Sequence, residues 1–168
     1  TFASPQPTAH QSQPAPQMLI PSAPKIDAKA YVLMDADSGK IIAEKNMHKT
    51  LPPASLTKLM TLYVVSSAIK QGQINLDDPV LISENAWKRG GSRMFVDVNS
   101  KVPVKDLIQG IIVASGNDSC VALAEYVAGS ETSFAELMNQ TAQQLGMKDS
   151  HYVDSTGLPK ANHVSTAY

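Results

Sequence analysis

With a single cysteine, Cys120, the chain can form no internal disulfide and no thiolate cage for a metal. Its four histidines, His10, His48, His151 and His163, show no His-x-x-x-His spacing, so neither a metal nor another cofactor is expected. No apolar run reaches the roughly 18 residues that span a bilayer. No charged-then-apolar export signal opens the sequence, so an exported protein would be present here in processed form. Charge of one sign is also missing. A net charge of −1 gives no electrostatic footprint for nucleic acid or for an anionic membrane.

What is present suffices for one ordinary globular domain with a real core: 168 residues, 43% hydrophobic and 17% charged. Residues 1–25, rich in Pro, Gln, Ser and Ala, can contribute little to that core and are expected to form a flexible leader, with the domain running over 26–168. Two apolar runs, Ala30 to Asp35 and Lys40 to Glu44, flank Asp37-Ser38-Gly39 and predict a β-hairpin. The segment from Ser55 to Lys70 is apolar around so much of its circumference that it is expected to be a central, mostly buried helix. Val80-Leu81-Ile82 predicts a short strand, and Ser83 to Trp87 a capped helical turn. Lys88 to Arg93 has the composition of a loop. Further helices are predicted over Val104–Ala114, from Asp118 to Gly129, and from about Ser130 to Leu145. The expected class is α+β, an antiparallel sheet begun by the hairpin and covered by the helices starting near Ser55, Val104 and Asp118.

Chemistry enters at Pro53-Ala54-Ser55-Leu56-Thr57-Lys58. At a helix entrance, residues three apart share a face. A neutral Lys58 could there take the proton of Ser55, whose hydroxyl is too weak a nucleophile by itself. Ser-x-x-Lys also occurs at Ser22 to Lys25 and at Ser67 to Lys70, but the first lies in the Pro-rich stretch and the second late in the helix. Ser55 alone follows two prolines and precedes an apolar run, although by itself it also reads as a simple N-cap. Ser-x-Asn occurs twice, at Ser83 to Asn85 and Ser115 to Asn117. The second is wedged between two core helices, where it is either a buried turn or a polar group facing the centre of the fold. Joined to Ser55 and Lys58 it supplies a proton-passing hydroxyl and an amide for a substrate carbonyl. Cys120 reads as a small core residue.

These motifs resemble those of the penicillin-binding D-alanyl-D-alanine carboxypeptidases, whose set is Ser-x-x-Lys, Ser-x-Asn and Lys-Thr-Gly. The likeness runs from about Ala30 to Tyr168 and is dense at Pro53 to Lys58, at Gly91-Ser92-Arg93-Met94-Phe95, and from Ser115-Gly116-Asn117-Asp118 to Glu131. The resemblance implies a β-lactamase/transpeptidase-like fold with Ser55 as acylated nucleophile, Lys58 as general base, Ser115 as proton relay, and Asn117 and Ser92 as substrate-binding residues. It implies removal of the terminal D-alanine from peptidoglycan peptides, acylation by β-lactam antibiotics, and an exported, periplasmic or cell-envelope location.

The third motif is absent, since Lys160-Ala161-Asn162 does not match Lys-Thr-Gly. The chain is therefore expected to be the N-terminal portion of such a domain. It would need the remaining C-terminal segment as partner and lack the family's membrane-binding tail. A class A β-lactamase would need a Glu with an Asn four residues on after the second motif, and none of Glu125, Glu131 or Glu136 has one. A non-catalytic penicillin sensor remains open, because it would share Ser55 and Lys58.

Overall fold

The computed structural model describes residues 22–168. Most of the expected leader, residues 1–21, lies outside the described residues, and 22–25 are exposed and without regular structure. The hairpin forms as β1 (Tyr31–Met34) paired antiparallel with β2 (Ile41–Lys45), Tyr31 opposite Lys45 and Met34 opposite Ile41, with a bulge between Leu33 and Met34. Asp35 closes the turn, one carboxylate oxygen accepting from the Ser38 N–H and the Ser38 hydroxyl.

A 3-10 turn at Ala54–Leu56 leads into α1 (Thr57–Lys70). Ser55 thus sits in the 3-10 turn, two residues before the α-helix begins. Then follow β3 (Pro79–Leu81), α2 (Glu84–Trp87), β4 (Lys101–Pro103), α3 (Val104–Ala114), α4 (Asn117–Ala128) and α5 (Glu131–Gln144). Two helix starts are written in hydroxyls. Ser83 accepts from the Ala86 N–H and Ser130 from the Ser133 N–H, each satisfying a donor that the first turn leaves unpaired. Ser83-Glu84-Asn85 is accordingly a capping sequence, its Asn85 side chain donating to Glu125.

The central helix is α4 and not α1. Every residue from Asn117 to Ala124 is buried, and α1, α2, α3, α5 and β3 all pack on it. Its small Ser, Cys and Ala residues leave room for close neighbours, while Val121 and Leu123 fill the gaps between them. By contrast α1 is two-sided. Met60, Val64, Val65 and Ala68 face the core, whereas Leu56 and Leu59 are 70% and 69% exposed. With Tyr63, Leu145 and Met147 they line an apolar groove of about 480 Å³. The same correction applies to the sheet. The helices close around α4 rather than over the hairpin, whose Leu33, Met34 and Ile42 are exposed. The pair that meets a helix is β3 with β4, Val80 opposite Val102. β4 was not predicted because three residues reading Lys-Val-Pro carry too little alternation to register as a strand.

Phe134 on α5 is fully buried in the core cluster. Phe134→Ala should cost ~3–5 kcal/mol in urea unfolding, as expected for a large side chain removed from a packed interior. A loss below ~1 kcal/mol would mean that the packing around α4 is not the main source of stability.

Candidate active site

The tail after α5, turn-rich in sequence, folds back across the start of α1. Leu51 and Ser165 exchange backbone hydrogen bonds, as do His151 and Val164. This brings Asp154, Ser155, Thr156 and His163 into a buried polar layer beside Thr57, Lys58 and Thr61. Thr61 donates to the Ser155 carbonyl at 2.7 Å and Lys58 Nζ to the Thr156 carbonyl at 2.8 Å. Gly157 lies so close to the entrance of α1 that a Cβ would sit 1.8 Å from the Ala54 carbonyl oxygen, and its φ of +83° also favours glycine.

Within this layer the candidate residues converge. Lys58 Nζ lies 3.3 Å from Ser55 Oγ, and the Ser115 hydroxyl donates to the same oxygen at 3.3 Å. Ser55 is exposed and Lys58 is buried. Burial lowers the Lys58 pKa, the Asp154 carboxylate pushes it back up, and it comes to rest below the ordinary lysine value. Cys120 is itself pushed up to about 12 by burial, so it stays a thiol in the core, as its apolar neighbours suggest.

Asn117 opens α4 directly after Ser115 and Gly116. Its backbone N–H donates to the Ser92 carbonyl at 2.7 Å, and its side-chain amide donates to the Gly90 carbonyl at 2.8 Å. That second bond explains Gly91, where a Cβ would stand 2.6 Å from Asn117 Nδ2. Asn117 Oδ1 is buried with no hydrogen-bond partner. Asp118 holds the next stretch of the loop, its carboxylate accepting from the backbone N–H groups of Met94, Phe95 and Val96 at 2.9 to 3.4 Å. Ser92 therefore reaches the site through its backbone, joined to Asn117. The remaining Ser-x-x-Lys pairs take no part: Ser22, Lys25 and Lys70 are exposed and Ser67 is on the far half of α1.

Sequence reasoning missed the Thr156 carbonyl, Asp118 and His163. A backbone carbonyl has no residue-type signature, and Asp118 reads as an ordinary first-turn acid. His163 Nδ1 accepts from the Val153 N–H at 3.1 Å, which leaves Nε2–H to donate to Thr57 Oγ1 at 2.8 Å. Burial pushes its pKa down.

A hydroxyl set between a buried amine and a second hydroxyl is the arrangement that serine acyl transfer uses. The chain belongs to the D-alanyl-D-alanine carboxypeptidase family, whose profile matches residues 17–168. It is 47% identical over 151 residues to the D-alanyl-D-alanine carboxypeptidase DacC of Escherichia coli K12, covering 86% of this chain and 38% of that protein. The crystal structure of the D-alanyl-D-alanine carboxypeptidase DacD from Francisella tularensis superimposes with a TM-score of 0.85 at 46% identity, covering 89% of this chain and 36% of that one. Penicillin binding protein 5 from Haemophilus influenzae gives a TM-score of 0.84, again at 46% identity, over 87% of this chain and 43% of that one. The fold is therefore that of the penicillin-binding carboxypeptidases, and the chain spans well under half the length of these relatives.

Because burial holds His163 below its unfolded value, the unfolded chain takes up the proton first as pH falls from about 6.5. Stability conferred by the neutral ring is intact above that pH, and falls by at most ~1.4 kcal/mol per pH unit down to the folded pKa. His163→Gln should flatten this part of the stability profile, measured by urea unfolding between about pH 7.5 and about pH 5.5. An unchanged slope would place the proton uptake on another group.

Proposed function

We propose that this chain carries the acylating half of a serine D-alanyl-D-alanine carboxypeptidase, acting on peptidoglycan peptides that end in D-Ala-D-Ala and acylated by β-lactams. The observation that carries the reading is the meeting of Ser55 Oγ with Lys58 Nζ and Ser115 Oγ, each at 3.3 Å, with the lysine buried. Membership of the family supports it.

In this reading the neutral Lys58 amine accepts the Ser55 proton while one of its N–H groups stays on the Thr156 carbonyl. Ser55 Oγ then attacks the carbonyl carbon of the penultimate D-alanine. The Ser55 backbone N–H offers one donor to the oxyanion that forms. As the C–N bond breaks, the departing D-alanine amine takes a proton through the Ser115 hydroxyl, which is replenished from Lys58. An ester on Ser55 remains, and water attacks it to release the shortened peptide. Asn117 keeps one side-chain N–H beyond the Gly90 bond to donate to the substrate's amide carbonyl. The Gly90–Ser92 strip beside it forms one wall for the peptide.

The Lys-Thr-Gly motif that meets the substrate carboxylate in the family is not among these 168 residues. Assays of activity therefore belong in a chain carrying the full length of the relatives. An exported, cell-envelope location goes with this substrate, and among the described residues no helix is long and apolar enough to cross a membrane.

The test is a mass spectrum after exposure of the full-length chain to a penicillin, together with an assay of D-alanine release. Wild type should gain one covalent adduct and Ser55→Ala none. An adduct on the Ser55→Ala variant would move the nucleophile elsewhere. Acylation without D-alanine release would make the protein a penicillin sensor.

A further inference from the structure

The buried polar layer contains one acid that the reaction steps above leave unused. Asp154 is completely buried, and a buried carboxylate is retained only where polar partners compensate for its lost hydration. A single oxygen, Oδ1, takes three donors: the Thr156 N–H at 2.8 Å, the Thr156 hydroxyl at 2.9 Å and the Gly157 N–H at 2.8 Å. Oδ2 has no hydrogen bond and faces the Lys160 ammonium at 3.4 Å. These bonds curl residues 154–157 into a tight turn whose outer carbonyls point at α1, that of Ser155 meeting Thr61 and that of Thr156 meeting Lys58. The turn is pinned from a third side by the Ser155 hydroxyl, which donates to Glu131 at 3.3 Å, the acid paired with Arg89.

We infer that Asp154 is a positioning residue for acyl transfer. Its carboxylate shapes the 154–157 turn so that the Thr156 carbonyl takes one Lys58 N–H and the amine lone pair is left facing Ser55. The inference rests on the reading of Ser55 and Lys58 as nucleophile and base, and adds to it an orienting group and a charge. A neutral amine has two N–H groups and one lone pair, so a fixed acceptor at 2.8 Å restricts which way the lone pair can turn. The acid also acts at a distance. Burial raises the Asp154 carboxyl, but the Gly157 and Thr156 hydrogen bonds and Lys160 outweigh it, so the group is ionised at neutral pH. The titratable groups facing Lys58 are Asp154 from the tail and the Cys120 thiol from α4. Asp118 and Glu131 stand beyond the thiol, and Lys160 and His163 beside Asp154. Of the two groups that face it directly, only Asp154 carries a negative charge at neutral pH, and it holds the ammonium form in place to a higher pH than burial alone would.

Two substitutions separate shape from charge. In Asp154→Asn the amide oxygen can keep the three donors while the charge is lost, and in Asp154→Ala both are lost. The rate of acylation by a penicillin is followed against pH in the full-length chain, with circular dichroism to confirm folding. Asp154→Asn should acylate within a few-fold of wild type on the plateau, with the acid limb of its profile moved to lower pH, because Lys58 then loses its proton more easily. Asp154→Ala should lose on the order of 10²-fold, the usual consequence of a slightly misplaced reacting group. If the Ala variant does not fold, the Asn profile alone decides. An Asn profile superimposable on that of wild type would overturn the inference while leaving Ser55 and Lys58 untouched. A wild-type chain that never acylates at Ser55 would overturn the reading beneath it, and the inference with it.

Discussion

An ammonium taken out of water loses several kcal/mol of hydration that only close polar partners restore. Lys58, 5% exposed, has its amine met by the Thr156 carbonyl at 2.8 Å and the Ser55 hydroxyl at 3.3 Å. Burial favours the neutral form, which is the form able to accept a proton. It lowers the Lys58 pKa, and the Asp154 carboxylate acts in the opposite direction. Enclosure by α4 on one side and by the folded-back tail on the other is therefore what makes the amine a base. A looser tail would return it to water and to its ordinary charge state.

Holding that enclosure requires backbone that the chain would not choose locally. Among the described residues six other than glycine have positive φ, and three of them are asparagines, which tolerate it. The other three, Ala54 at +48°, Phe95 at +63° and Ser115 at +52°, all lie at the site. Ala54 precedes Ser55, Ser115 turns the chain from α3 into α4, and Phe95 closes the loop that begins at Gly90. Each costs on the order of 1–3 kcal/mol and persists only where its surroundings over-determine it. At Phe95 the determinant is visible in the three backbone N–H groups gathered on Asp118. At Ala54 it is the Gly157 backbone pressed against its carbonyl. The strain thus lies in the segments that present the two serines and the loop beside Asn117.

Much of this was legible in the sequence where a residue type carries its own signal. Apolar periodicity located α3 residue for residue and α5 within about a turn, and Ser83 marked a helix start by capping chemistry. The spacing of Ser55 and Lys58 survived a change in local geometry, because a 3-10 turn running into an α-helix still puts residues three apart on one side. Legibility failed where the determinant was tertiary. The apolar circumference of α1 suggested a buried central helix, yet Leu56, Leu59 and Tyr63 face a groove, and the shorter α4, with its small residues, takes the centre. The run from Tyr152 onward read only as turns. Its contribution to the site is a backbone carbonyl and a carboxylate bonded to its own turn, and neither is recognisable until the tail is seen lying across α1. Asn117 shows the middle case. Its type pointed to a polar role, but the Gly90 bond that fixes its amide depends on a loop brought in from a distant part of the chain.

The most direct test of the central claim is the rate of acylation by a penicillin in the full-length chain with Lys58→Arg. Arginine keeps the positive charge and much of the length, but in a protein it is effectively never deprotonated. If the neutral amine of Lys58 is the base for Ser55, the folded variant should lose at least ~10²-fold in that rate, the usual contribution of a general base. A folded Lys58→Arg protein that acylates at close to the wild-type rate would contradict the account.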